Sequence, residues 1–142
     1  MTNEEIRKIA EKNPFAKYIG MELLEVGEGF AYGRISFEKQ HENVYGGMHG
    51  GCAYSLADTL AGIAALTYGD YVTTLDASMN YLLPVEHTEY VYCKAQVLRH
   101  GRKISVVRVE ITNDEGTILI DGSFTFYHLG KKAELNCEKN IN

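Results

Sequence analysis

Asp58 is the first residue whose type and setting point to chemistry. It lies inside an apolar stretch, residues 52–67, that holds no other charged side chain. Aspartate is a poor mid-helix residue and costly to bury. A lone carboxylate in such a place is a candidate general base or nucleophile. At helical spacing its neighbours Ala61, Gly62 and Ala65 are small, so a ligand has room to lie against the acid. The competing reading is a single acid on a solvated face, but such a face normally carries several charges. Just upstream, Gly50-Gly51 stands where a loop becomes a helix. The first amides of a helix have no internal partner and carry the positive end of its dipole. They can hold a developing negative oxygen, although two glycines also suit a plain tight turn. An attacking oxygen plus a donor for a carbonyl oxygen is what acyl transfer needs. His49 either caps the loop by bonding backbone carbonyls or orients a substrate carbonyl. Asn43 either donates its amide to a carbonyl or a water, or builds a turn.

These residues need elements to position them. Residues 52–67 form the longest helical window, apolar nearly all round and therefore buried. It falls short of the roughly 20 residues a membrane span needs. Thr2 and Glu5 form a capping box for a short N-terminal helix with Ile6, Ile9 and Ala10 on one stripe, stopped at Asn13-Pro14. A short turn over residues 15–19 leads to Gly20. Residues 22–26 and 30–37 read as strands joined at Gly27-Glu28-Gly29, with Ala31, Gly33, Ile35 and Phe37 on one face. Residues 71–83 read as a strand ended by Pro84. Residues 89–99, 103–112 and 117–128 alternate as strands of an antiparallel meander with tight turns between them. One buried helix on five or six antiparallel strands is an α+β domain. A single helix cannot cover a flat sheet of that size, so strong curvature or a second copy must complete the burial.

The chain has 142 residues, the size of one domain, and is 45% hydrophobic. It reads as a single domain, residues 1–142, with a core of about 14–128 and a polar, fraying tail at 130–142. Cys52, Cys93 and Cys137 show no metal or disulfide spacing and fit incidental thiols. Cys52 has no base at an obvious spacing, so it reads as core rather than nucleophile. No signal peptide or membrane span is visible, which favours a cytoplasmic protein with no membrane partner. A net charge of −5 counts against nucleic acid.

The string Asn43-Val44-Tyr45-Gly46-Gly47-Met48-His49-Gly50-Gly51, then six residues and Asp58, resembles the hotdog-fold thioesterases. The resemblance is nearest to the phenylacetic-acid-degradation, PaaI-like, branch of acyl-CoA thioesterases. It covers residues from about Pro14 to His128. In residues 73–84, Thr74 matches the family's active-site Ser or Thr. The resemblance implies a hotdog fold, with a curved antiparallel sheet wrapping the long central helix. It implies hydrolysis of a small acyl-CoA, with coenzyme A part of the substrate and neither cofactor nor metal required. Asp58 would attack the thioester carbonyl or activate water. The Gly50 amide would polarise the thioester oxygen, Asn43 would hold the carbonyl or water, and His49 would support the loop. Gly51, Tyr45 and Gly46 would lie against substrate. Chains would pair edge to edge as a homodimer or homotetramer, with the acid from one subunit and the amide from the other. Arg99, Arg102 and Lys103, with His100 at the same turn, are the candidates for the coenzyme A phosphates, or else form a solvated basic turn.

Two other classes use the same fold. A hydratase or dehydratase would pair an Asp with a His on the helix, and no histidine lies there. A non-enzymatic acyl-CoA sensor usually carries a DNA-binding extension, for which the residues before Pro14 are too few.

Overall fold

Local signals at the N-terminus build what the spacing predicts. The computed structural model describes residues 1–134. The Glu5 N–H donates to Thr2 Oγ1 at 3.2 Å and the Thr2 N–H to Glu5 Oε2 at 2.8 Å, opening α1 (Asn3–Glu11). Asn13 caps α2 (Pro14–Ile19), and Gly20 ends it in the left-handed conformation. Then come β1 (Met21–Gly27), β2 (Phe30–Ser36), α3 (Gly50–Leu66), β3 (Asp70–Tyr81), β4 (Tyr90–His100), β5 (Ile104–Thr112) and β6 (Ile118–Lys132). Ile6, on α1, is 2% exposed and belongs to the core.

The six strands make one antiparallel sheet in the order β1-β2-β4-β5-β6-β3. The long α3 touches every strand. Six strands about 4.8 Å apart span roughly 24 Å, twice the width of a helix of about 10–12 Å. The sheet must therefore curve around α3, as the hotdog fold requires. The core is the contact itself: Leu56, Leu60 and Ala64 of α3 against Ile35, Val91, Val109, Ile111 and Phe124, all fully buried. Among the described residues β3 pairs only with β6, so its outer edge is open.

Three boundaries differ from the sequence expectation by more than one residue. The central helix starts at Gly50, not Cys52, because His49 caps it. The strand expected over 71–83 stops at Tyr81, where the Leu82 and Leu83 amides turn to the Leu119 carbonyl. The tail expected from residue 130 is ordered at its start. β6 runs to Lys132, the Ala133 N–H donates to Gly69 O at 2.8 Å, and the Glu134 N–H donates to the Tyr71 hydroxyl at 3.0 Å. Cys137 and the rest of that tail lie outside the described residues. Among the described residues no helix is long and apolar enough to cross a membrane.

Candidate active site

Asp58 sits two turns into α3, half-buried, and its Oδ1 accepts from the Thr74 hydroxyl at 2.7 Å. A mid-helix acid is thus tied to β3, one of the two edge strands of the sheet. The register explains how Thr74 reaches it. Val72 and Thr74 pair with His128 and Phe126, whereas Ala77, Met79 and Tyr81 pair with Phe124, Gly122 and Ile120. The phase shifts between Thr74 and Asp76, leaving Leu75 as the extra residue of a bulge. Strict alternation would put Thr74 and Tyr81 on opposite faces. With the bulge, both face α3: Thr74 meets Asp58, and the Tyr81 hydroxyl donates to Gly50 O at 2.9 Å.

The start of α3 leaves one free donor. His49 Nδ1 accepts from the Gly51 N–H at 2.9 Å, and His49 O accepts from Cys52 and Ala53 at 2.9 and 3.2 Å. Among the described residues the Gly50 N–H has no partner. This corrects the expectation for His49, which bonds an amide and not carbonyls. The Gly51 N–H is spent on that cap.

The loop before the helix is shaped by Asn43. Its Oδ1 accepts from the Tyr45 N–H at 2.8 Å, its N–H donates to Gly47 O at 2.7 Å, and Gly46 takes φ +88°, which a side chain would resist. With the oxygen engaged, the Asn43 amide NH₂ is the end left for a ligand. Asn43 and Gly50 line one cavity of about 310 Å³ with Tyr81 and Val85. Asp58 and Thr74 line another, of about 240 Å³. Asp58 stands eight positions after Gly50 in the helix, about 12 Å along the axis. One chain therefore presents its acid and its free amide in two different places.

The remaining candidates scatter. Tyr45 is 90% exposed at the loop tip, with Gly46 beside it. Arg99, Arg102 and Lys103 are exposed at the β4–β5 turn and line neither cavity. His100 leaves that basic group: it stacks on Tyr68 at 3.9 Å and its Nδ1 lies 3.0 Å from Ser105 Oγ. Burial pushes the Cys52 thiol up, away from the thiolate a nucleophile needs. Among the described residues no His, Cys, Asp and Glu side chains gather as a metal site. Sequence reasoning missed Tyr81. Its signal was a tyrosine seven residues after Thr74, on the wrong face unless a bulge intervenes.

Residues 45–120 match the family model described as thioesterase superfamily. The chain is 27% identical over 131 residues to acyl-coenzyme A thioesterase 13 of Homo sapiens, covering 89% of this chain and 93% of that protein. It is 29% identical over 105 residues to acyl-coenzyme A thioesterase PaaI of Escherichia coli, covering 74% and 75%. A Streptococcus pneumoniae structure described as a hypothetical thioesterase with coenzyme A superposes with a TM-score of 0.81 at 25% identity, covering 89% and 98%.

Proposed function

The chain belongs to the thioesterase superfamily, and from that premise we propose that it hydrolyses a small acyl-coenzyme A to the free acid and coenzyme A. The carrying observation is the Asp58 carboxylate, held by Thr74 at 2.7 Å beside a cavity at the open β3 edge. Asp58 attacks the thioester carbonyl carbon itself, or takes the proton from the water that does. The carbonyl oxygen gathers negative charge and is met by an N–H fixed before reaction begins. The carbon–sulfur bond then breaks, and the coenzyme A thiolate leaves and takes up a proton. After direct attack, water then hydrolyses the acyl–Asp58 anhydride, which releases the free acid and restores the carboxylate. A thiolate leaves readily, so no strong acid is needed beside it.

The Gly50 N–H is the oxyanion donor, because it alone of the first α3 amides is uncommitted among the described residues. The Asn43 NH₂, on the same cavity, holds the carbonyl or the water. Since acid and amide stand about 12 Å apart along one helix, the amide facing Asp58 comes from a second copy. Pairing of open β3 edges supplies that copy, and a two-fold axis then makes two identical sites. Arg99, Arg102 and Lys103 form an exposed basic turn suited to the coenzyme A phosphates.

The test is Asp58→Asn, which keeps shape and hydrogen-bonding size. Thiol release from acyl-coenzyme A should fall at least about 1,000-fold, with melting temperature and oligomeric state unchanged. Turnover near that of the unmodified chain would remove Asp58 from the mechanism. Inactivity of the unmodified chain toward short, medium and aromatic acyl groups would leave a binding protein.

A further inference from the structure

Gly62 has no structural reason to be glycine. It lies one turn beyond Asp58 on the same face of α3 and lines the same cavity. Glycine inside a helix is the poorest choice short of proline. Its backbone is not left-handed, so no special conformation demands it. A Cβ built there would meet only the Phe126 ring, 3.5 Å from Cε1 and 3.8 Å from Cζ, which is ordinary contact. The helix and its surroundings would accept a methyl group. What glycine preserves is empty volume beside the catalytic acid.

That volume has a definite character. Away from Asp58 and Thr74 the walls are mainly Ile9, Ile63, Leu66, Val72 and Phe126, and no basic side chain is present. Asn13 and Thr59 also line them, but Asn13 Oδ1 accepts from the Ala16 N–H and the Thr59 hydroxyl donates to Ser55 O. At about 240 Å³ the space lies below the roughly 300–1,000 Å³ of sites for drug-sized ligands. One wall belongs to α1, which Arg7 fastens by donating to Leu23 O at 2.8 Å and Leu24 O at 2.9 Å. Those carbonyls sit at the register shift in β1. The wall is thus fixed and the missing side chain at Gly62 decides the depth.

We propose that this cavity takes the acyl group, that the group is small, apolar and uncharged, and that Gly62 sets the longest chain accepted. The proposal rests on the thioesterase reading, and the experiment separates the two. Unmodified protein, Gly62→Ala and Gly62→Leu are compared on straight-chain acyl-coenzyme A from acetyl to dodecanoyl, with thiol release and melting temperature measured. In Gly62→Leu the ratio of octanoyl to acetyl kcat/KM should drop at least about tenfold. In Gly62→Ala the ratio should drop less and the melting temperature should rise by about 3 °C. If the leucine variant does not fold, the alanine ratio decides. An unchanged ratio, or a lower melting temperature in Gly62→Ala, would overturn the inference. If the unmodified chain cleaves nothing, the thioesterase reading fails and calorimetric binding of octanamide, which is uncharged, judges the cavity alone. Octanamide bound by the unmodified chain and lost in Gly62→Leu would uphold it, and equal or absent binding would sink it.

Discussion

A single proline can separate the Gly50 amide from everything else at that position. Gly50 is the first residue of α3, where proline fits the helix and loses only an N–H that has no internal partner. The preceding residue, His49, has φ −57° and ψ 130°, an extended conformation that proline tolerates after it. Any Cβ there comes 3.3 Å from Tyr81 Cε1, so the proper control is Gly50→Ala, which adds the Cβ and keeps the donor. Steady-state kinetics should show Gly50→Pro slower than Gly50→Ala by roughly 100- to 1,000-fold in kcat. Equal rates would assign the carbonyl oxygen to another donor. Asp58 was legible in the sequence because its isolation among apolar residues is a compositional fact. The choice of Gly50 over Gly51 came from the family resemblance and not from the residues themselves, because it depends on which amide the His49 ring takes, and ring direction leaves no trace in residue order.

Strands β4 and β5 were legible as elements because Val91, Cys93 and Ala95, then Val107, Val109 and Ile111, alternate strictly and fill one buried face. β3 was legible as a strand but not in its phase, since the bulge at Leu75 is a choice of pairing partner. The same limit hid a polar array where β4, β5 and β6 meet the end of α3. Ser105 Oγ lies 2.7 Å from His128 Nε2 and 3.0 Å from His100 Nδ1, and the two rings meet edge-on at 4.9 Å. Burial, then the neighbouring His100, holds His128 below the ordinary histidine value of 6.5, with Asp70 opposing weakly. The fold therefore favours neutral His128. Below pH 6.5 the unfolded chain binds more protons than the native one, so this stability is full above 6.5 and is lost as pH falls through the lower native value. Melting temperature should decline between pH 7.5 and 5.5, before most carboxylates titrate, and His128→Gln should flatten the decline. An equally steep decline in the variant would place the acid sensitivity elsewhere.

At the scale of the whole molecule, the proposed mechanism makes one chain an incomplete catalyst. Its acid and its free amide line different cavities, and both cavities border β3 or the segment just after it. The open β3 edge leaves Leu75, Tyr81, Leu82 and Leu83 about half exposed or more, a run of apolar surface that a second copy would cover. The need for curvature or a partner was readable from one helix and many strands, but which strands stand at the edges, β1 and β3, is a property of strand order. Mixing two inactive proteins tests the shared site most directly. Asp58→Asn keeps a sound amide, and Gly50→Pro keeps a sound acid. Unfolded together and refolded in equal amounts, half of the resulting dimers are mixed, and each mixed dimer holds one site with neither defect. Thiol release should return to about one quarter of the activity of the unmodified protein, since a two-fold axis crosses each acid with the other chain's amide. A mixture as inactive as its two components, with mixed dimers demonstrated to have formed, would contradict a site built from two copies.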